Sequence, residues 1–367
     1  MMRRIAALFL CLCLILFAGS AFADSISRIT DGFEYTVADG HAVISAYHGD
    51  YLPRSLPEKL DGYDVFPDYA DPVFSHLVHA GDGYSYGLVS ADEAWIVGYT
   101  GMQGYQRVAR IPETVGGIRV TGIADRAFWS CGVIRDPFAE VVIVPGSVRT
   151  IGREAFAWTA LGYIVLEEGL EEIGDLAFMG LGQAYMRIPA SVRKMGINPF
   201  SNDIDFGHSV CVFPVLESDA FFGQGDRMIY SREDMRLIAF RNDPFIENAE
   251  TCYRVPDGIR IIGDYAFYMA SGLTEIILPD SVREIGARAF RYCTSLERVT
   301  LPDGVVKIGD EAFCNTAVTE LEIPSSVTEI GSGIFQWETA GEATIICDPG
   351  SAAEAYARTC GYKIRYR

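Results

Sequence analysis

A six-residue phrase, Ile-Gly-x-x-Ala-Phe, recurs along the chain at nearly constant intervals. Regular copies occupy Ile151–Phe156, Ile173–Phe178, Ile262–Phe267, Ile285–Phe290 and Ile308–Phe313, and looser copies occupy Ile123–Phe128, Met195–Phe200 and Ile330–Phe335. The closing phenylalanines are 22 residues apart from Phe156 to Phe200, and 22 or 23 residues apart from Phe267 to Phe335. Such a period is typical of a solenoid, in which each repeat forms one coil and buries its apolar side chains against its neighbours.

A second phrase precedes the first and predicts a short strand in every coil. Apolar residues alternate with polar ones in 296–301 before Pro302, and equivalent segments end at Pro279 and Pro324. Alternation points one set of side chains inward and leaves the others in solvent, and proline ends the strand because it lacks a donor. The glycine is expected to permit a tight turn before Ala-Phe fills the interior. The pattern predicts a right-handed, β-rich solenoid whose parallel strands form one exposed face.

The complete unit, a strand followed by Pro-x-x-Val-x-x-Ile-Gly-x-x-Ala-Phe, resembles the BspA-type leucine-rich repeats of bacterial surface proteins over residues 106–340. The resemblance implies a β-rich leucine-rich-repeat solenoid of the α/β repeat class, with β-hairpin insertions and terminal caps. It also implies an exported or cell-surface protein that binds host or matrix proteins for adhesion. It implies neither a shared catalytic site nor a cofactor.

The predicted domains follow from where the repeats begin and stop. Residues 1–23 have a positive start, an apolar run and small residues up to Ala23, which is typical of a secretory signal peptide cleaved at that point. The remaining predicted parts are an N-terminal β-hairpin and capping region (24–105), the solenoid (106–340) with a hairpin insertion near 222–250, and a C-terminal cap (341–367). We therefore expect a protein that is secreted or held at a bacterial cell surface.

The formal net charge of −19 excludes two classes of partner. A chain this acidic cannot displace counterions from nucleic-acid phosphates, and anionic lipid headgroups repel it. No segment after the signal is long and apolar enough to span a bilayer. The expected partner is an extracellular or host protein, or a glycan.

The outward-facing strand positions are the candidate ligand-binding sites. In the last regular coils they read Glu275, Arg298 and Glu320, and alternating charges of this kind pair with one another along a parallel ladder. Earlier coils instead carry side chains typical of binding anchors. The predicted ligand-binding residues are Tyr163, Val165, Tyr185 and Arg187, together with Trp158, two residues after a repeat phenylalanine. Trp158 either belongs to an aromatic stripe along one edge or packs between coils.

Residues with catalytic, metal-binding or redox potential are few. His76 and His79 have the spacing of metal ligands, but a polar loop explains them as well, and we predict no metal site. Nucleophile elbows, metalloprotease helices and phosphate loops are missing from the sequence. Seven cysteines follow residue 23, and Cys347 and Cys360, which flank a helix-like stretch, are the best candidates for a disulfide.

Together these features predict a non-enzymatic binding or adhesion module that recognises proteins through the exposed solenoid surface. Two alternatives stay open. The tyrosines and tryptophans would also suit a glycan-binding surface protein, and the irregular 61–84 segment or the hairpin could hold the site of a hydrolase.

Overall fold

A computed structural model shows how the chain is arranged. It describes residues 28–30, 33–38, 41–47, 59–61, 63–65, 73–74, 77–79, 83–99, 106–129, 139–159, 161, 163–181, 186–201, 215–224, 228–240, 251–335 and 343–367. Contacts divide the chain into two compact units, the first ending at Leu77 and also including Gly87–Ser90, the second comprising Val78–Tyr86 and everything from Ala91 onward. The predicted signal peptide lies outside the described residues.

The first unit is a small mixed sheet. Its strands are β1 (Arg28–Thr30), β2 (Phe33–Ala38), β3 (His41–Tyr47), β4 (Lys59–Leu60), β5 (Tyr63–Val65) and β6 (Val73–Phe74). Strands β2 and β3 form an antiparallel hairpin, and β5 then runs parallel to β3. Tyr35 is fully buried, and its hydroxyl donates to Asp61 at 2.6 Å.

The second unit begins with the same arrangement. Its region contains β7 (Leu77–His79), β8 (Tyr84–Leu88), β9 (Glu93–Tyr99), β11 (Thr114–Val115) and β12 (Ile118–Ile123). Strand β12 pairs antiparallel with β11 and parallel with β9, as β5 pairs with β4 and β3 in the first unit. The two segments also share a sequence spacing, with Pro57, Gly62 and Val65 in the first and Pro112, Gly117 and Val120 in the second.

Successive coils of the solenoid contribute a strand at or near the proline position, and these strands, which lie in four separate parallel sheets, are together named the first ladder. They are β10 (Gln106–Arg110), β13 (Ala139–Val144), β15 (Tyr163–Leu166), β17 (Arg187–Ile188), β19 (Val215–Leu216), β23 (Cys252–Arg254), β25 (Glu275–Ile277), β27 (Arg298–Thr300), β29 (Glu320–Glu322), β31 (Thr344–Cys347) and β32 (Lys363–Tyr366). Neighbouring coils are in register, with Ile143 opposite Val165 and Glu275 opposite Arg298. Their outward side chains form columns along the array.

A second set of parallel strands runs through the residues that precede the repeat glycine; it lies in two separate sheets, one ending at Met195 and one beginning in the hairpin segment, and we name it the second ladder. Besides β12 it contains β14 (Thr150–Ile151), β16 (Glu172–Ile173), β18 (Lys194–Met195), β22 (Arg236–Phe240), β24 (Ile261–Ile262), β26 (Glu284–Ile285), β28 (Lys307–Ile308) and β30 (Glu329–Ile330). The sequence pattern predicted strands on one face, and this ladder is additional to them. Most of its strands have only two residues, which is too short for alternation to be visible in the sequence.

The segment near 222–250 contains the predicted hairpin but does not project freely. Strands β20 (Phe221–Gln224), β21 (Met228–Ser231) and β22 form an antiparallel meander. Strand β22 then pairs in parallel with β24 and so joins the second ladder. Its Leu237 is fully buried, and the ring of Phe240 lies 4.9 Å from that of Phe267. Because these side chains supply core contacts that a regular coil would supply, the hairpin is part of the stack.

A single α-helix is found among the described residues, near the C-terminus. Helix α1 (Ala352–Cys360) begins after Ser351, whose side chain accepts from the Glu354 N–H, and ends at Gly361 in the left-handed conformation. The sequence predicted this helix start and glycine stop, followed by a strand. In the parts of the chain that are described, no helix has the length and apolar character needed to cross a membrane.

The repeat phenylalanines form buried rows. Their rings stack at centroid distances of 4.8, 5.7 and 5.9 Å through Phe128, Phe156, Phe178 and Phe200, and at 5.0 and 5.3 Å through Phe267, Phe290 and Phe313. Each of these rings has less than 7% of its surface exposed. The predicted solenoid, with each coil covering the apolar side of its neighbour, is confirmed.

The repeat glycine is required for the close approach of coils rather than for a turn. Gly286 does not have a left-handed φ, but a Cβ on it would lie 2.3 Å from Oδ1 and 2.5 Å from N of Asp264 in the preceding coil. The left-handed position lies two residues later, at Arg288, with φ 56°. A tight turn does follow the repeat glycine, since the Ala266 N–H donates to the Gly263 carbonyl at 3.2 Å. The glycine itself is needed because the backbone of the neighbouring coil excludes a side chain.

Aspartates at the position after the repeat glycine connect their coil to the next one. Oδ1 of Asp264 accepts from the backbone N–H of Ala287 in the next coil at 2.7 Å. Carboxylates at the same repeat position make the same bond at Asp125, Asp175 and Asp310. An aspartate at this repeat position is thus a coil-to-coil connection.

Candidate binding surface

We divide the array into a first half (β10 to β19) and a second half (β23 to β32). In the first half, the outward side of the first ladder is apolar at β10, β13 and β15. Register places Val108 beside Val141 and Val141 beside Tyr163, and in the next column Ile143 lies beside Val165. We name these five residues the apolar face. Val108, Tyr163 and Val165 are 51%, 45% and 44% exposed, while Val141 and Ile143 are half-buried between them.

Ion pairs flank the apolar face on both sides. Arg110 donates two hydrogen bonds to Glu167, at 2.6 and 2.9 Å, and a third to Glu113 at 3.0 Å. These bonds from Arg110 hold the pKa of Glu167 below its usual value. On the other side Arg187 donates to Glu217 at 3.1 Å. The charges beside the apolar face are therefore already paired within the chain.

The same side of the second half has a different character. Arg298 pairs with Glu275 at 3.2 Å, as the alternating signs predicted. Glu320 does not extend that column, because its carboxylate accepts hydrogen bonds from the two terminal guanidinium nitrogens of Arg365 at 2.7 and 2.8 Å. Outward positions here are thus largely satisfied by one another, and a solvated surface accounts for them.

Three of the predicted ligand-binding residues lie together on the first half of this ladder. Tyr163 and Val165 belong to the apolar face, and Arg187 lies beside it. Tyr185 lies outside the described residues and stays a prediction. Trp158 is half-buried, and its ring lies so close to Gly180 of the next coil that a Cβ there would be 2.5 Å away. This geometry is packing between coils.

Sequence reasoning missed Val108, Val141 and Ile143. The signal was present, because residues 106–111 and 139–144 alternate outward and inward side chains before Pro112 and Pro145. These coils lack a regular Ile-Gly-x-x-Ala-Phe phrase at their start, so their register with Tyr163 could not be read from the chain alone.

The sequence also pointed to a cysteine pair and a histidine pair. Cys347 is buried and Cys360 is exposed, both are free cysteines in the structure, and their disulfide stays a prediction. His76 lies outside the described residues. Within the described part of the chain, no three His, Cys, Asp or Glu residues are grouped as metal ligands would be.

Comparison with protein families gives one match. The model of the BspA type leucine rich repeat region matches residues 121–211 and 245–347 in six copies, which is more than half of the chain. No curated protein sequence matches significantly.

Several solved structures are similar to this chain at low identity. The pneumococcal vaccine antigen PcpA is 18% identical, with 74% of this chain and 81% of that chain covered and a TM-score of 0.48. A leucine rich cell surface protein from Faecalibacterium prausnitzii A2-165 is 18% identical, covering 79% and 94% with a TM-score of 0.40. A leucine-rich repeat protein from Eubacterium ventriosum is 19% identical, covering 75% and 73% with a TM-score of 0.42.

Proposed function

Since this chain belongs to the family of BspA type leucine-rich repeat proteins, we propose that it is a non-enzymatic adhesion module, secreted or held at the cell surface. Its ligand is an extracellular protein, which it binds through the apolar face. The distribution of exposed apolar side chains carries the proposal. Among the described residues eight large apolar side chains are exposed, and four of them, Val108, Tyr163, Val165 and Val215, lie on outward positions of the same ladder half.

Contiguity distinguishes this surface from ordinary scattered exposure. Single exposed apolar residues are normal on soluble proteins, whereas a contiguous patch rimmed by polar groups is typical of an interaction site. Tyr163, at one end of its column, supplies the kind of aromatic anchor that dominates protein interfaces. The flanking Arg110 and Arg187 are already paired with carboxylates, so a ligand need not neutralise them. The ligand surface that fits is itself apolar at its centre and polar at its rim.

The backbone beneath the face supports tight binding. Strands β10, β13 and β15 are joined by parallel ladders, and their inward Val142 and Ile164 are buried. The outward side chains therefore start from a fixed spacing, and ordering them on binding costs little conformational entropy.

The test measures binding of the purified protein to immobilised collagen, fibronectin and laminin by surface plasmon resonance. We expect saturable binding to at least one of them, and a loss of affinity of about tenfold or more in Val165→Glu, because a carboxylate would be desolvated within the interface. Thr300→Glu is the matched control, since Thr300 has the same repeat position on the charged half and is exposed. It should bind as the unchanged protein does.

Two results would contradict the proposal. One is the lack of saturable binding to all three matrix proteins. The other is an equal loss of affinity in Val165→Glu and Thr300→Glu, which would place binding outside the apolar face. Far-ultraviolet circular dichroism of both variants checks that the solenoid is intact.

A further inference from the structure

A second surface with recognisable chemistry lies on the turn edge of the second half, away from the strand columns of the first ladder. It contains aromatic, cationic and acidic side chains from three successive coils. We name it the tyrosine–arginine edge, and its members are Tyr265, Tyr268, Arg288, Arg291, Tyr292 and Glu311.

The edge has more positive than negative groups in direct contact. Arg291 pairs with Oε2 of Glu311 at 2.6 Å, and Arg288 pairs with Oε1 of the same carboxylate at 3.3 Å. The carboxylate of Glu311 interacts electrostatically with the guanidinium groups of both Arg288 and Arg291. One carboxylate thus balances two guanidinium groups, in a protein whose overall charge is strongly negative.

Tyrosine rings hold the guanidinium groups in place. Arg288 lies 5.5 Å from the ring centroid of Tyr265, and Arg291 lies 4.9 Å from that of Tyr292. Tyr268 bridges the two, at 5.2 Å from Tyr265 and 5.7 Å from Tyr292. Arg288 also donates to the Tyr265 hydroxyl, and Arg291 to the Tyr292 hydroxyl at 3.4 Å. These contacts limit the motion of each guanidinium, and because a guanidinium has five N–H donors, further donors remain that can meet an anion.

One donor of the edge lacks an acceptor. Nε of Arg291 is buried and has no hydrogen-bond partner in the structure. A buried donor without an acceptor is costly, and most such groups in proteins find a partner. Because this Nε is buried, an incoming carboxylate would meet the terminal N–H groups of Arg288 and Arg291 rather than Nε itself.

The repeat by itself does not require this arrangement. Arg126 occupies the position equivalent to Arg288 in the first half, with φ 57° against 56°, and pairs with Glu154 at 2.7 Å. That pair suffices to connect two coils. The second arginine at Glu311 is therefore additional to what coil stacking needs.

We infer that the tyrosine–arginine edge binds an acidic saccharide whose uronate carboxylate meets Arg288 and Arg291 while the C–H face of its ring packs on the tyrosines. Guanidinium groups bind carboxylates through paired, charge-assisted hydrogen bonds. Aromatic rings supply the apolar surface that the C–H face of a sugar requires. This site is separate from the apolar face and goes beyond the proposed binding of a protein.

The test titrates the purified protein with oligogalacturonate and, in parallel, with the same oligosaccharide after methyl esterification, by isothermal titration calorimetry. The two probes share ring and length and differ in charge. We expect the free acid to bind at least about tenfold more tightly than the ester. Arg288→Gln and Arg291→Gln should each weaken binding of the acid by a similar factor. Arg126→Gln, the matched control, and Val165→Glu should leave it unchanged.

Saturation-transfer nuclear magnetic resonance on the unchanged protein gives a measurement that does not depend on how the variants fold. Transfer from tyrosine protons to the C–H protons of the free acid supports the inference. Three results would overturn it: no saturable binding of the acid, equal affinity for acid and ester, or an affinity that survives both arginine substitutions. Because Val165→Glu is included, failure here is distinguishable from failure of the protein-binding proposal.

Discussion

Replacing the repeat glycine Gly286 with alanine tests whether coil spacing determines that residue. A Cβ at this position would lie 2.3 Å from Oδ1 of Asp264, 2.5 Å from its N and 2.7 Å from the carbonyl carbon of Gly263. Ordinary contacts of a Cβ lie at 3.4–4 Å, so the two coils would have to separate locally by about 1 Å. Two of the three nearest atoms are backbone, so rotation of one side chain cannot relieve the contact.

The cost follows from what that separation disturbs. Overpacking of this kind costs about 1–3 kcal/mol. The bonds from Gly286 N–H to Ile262 O at 2.8 Å and from Ala287 N–H to Asp264 Oδ1 at 2.7 Å would both lengthen, and each contributes about 0.5–1.5 kcal/mol. Alanine restricts the unfolded chain and returns about 0.4–1 kcal/mol. The expected net loss in the free energy of unfolding is about 2–4 kcal/mol.

Urea unfolding followed by circular dichroism measures that loss. Repeat arrays do not always unfold in one step, so amide hydrogen exchange in Ile262–Phe267 and Ile285–Phe290 reports the affected coils directly. Gly98→Ala is the matched control, because the nearest atom to its Cβ, on Ser85, is 3.8 Å away. If Gly286→Ala is as stable as Gly98→Ala, glycine is not there to admit the neighbouring coil and the reasoning is refuted.

Three further changes follow from the structure. Phe290→Ala removes a fully buried ring stacked between two others and should lower the free energy of unfolding by about 3–5 kcal/mol. In the same urea titration, Val306→Ala at an exposed position should change it by less than about 0.5 kcal/mol. Equal losses in the two variants would contradict a stacked core. Hydrogen bonds from Tyr366, the Gly350 N–H and Arg358 lower the pKa of Glu354 from 4.5 to about 2. The contribution of Glu354 to folding stability is therefore complete above pH 4.5 and is lost as pH falls towards 2. Melting temperatures should fall less steeply over that range in Glu354→Gln than in the unchanged protein, and identical pH profiles would exclude this role. Burial raises the pKa of the Cys293 thiol to about 12, so iodoacetamide at pH 8 should label exposed Cys252 and spare Cys293 in the folded protein, and comparable labelling by mass spectrometry would show that the site is open.

The sequence predicted the core of this fold well because the core is repetitive. Phe156 and Phe178 could be placed in one buried row from their spacing alone, since a constant period leaves one way for neighbouring coils to cover each other. The helix before Gly361 could also be predicted, because its start and stop signals are local.

Neither the second ladder nor the position of the hairpin within the stack could be predicted from sequence spacing. Two-residue strands such as Glu284–Ile285 are defined by their partners in the adjacent coils and have no periodicity of their own. Strand β22 joins the stack because Leu237 and Phe240 fill positions beneath the coil that contains Phe267. Nothing local in residues 226–240 distinguishes that arrangement from a free hairpin.

The residues of the candidate binding surfaces also differ in whether the sequence alone could identify them. Tyr163, Val165 and Arg187 could be chosen from alternation within single strands, because the direction of a side chain follows from its place in the strand. Grouping them with Val108 and Ile143 needed the register between coils of unequal length. The pairing of Arg288 and Arg291 with one carboxylate needed it as well.

The amino-acid sequence by itself determined that this chain forms stacked coils, which residues those coils bury and which face each strand turns to water. These properties depend on short-range spacing and on the insolubility of apolar side chains. Only the tertiary structure shows why the glycine is needed, where the inserted hairpin lies and which exposed residues are neighbours. Those properties depend on atoms in adjacent coils that are about twenty residues away in sequence and within van der Waals contact in space.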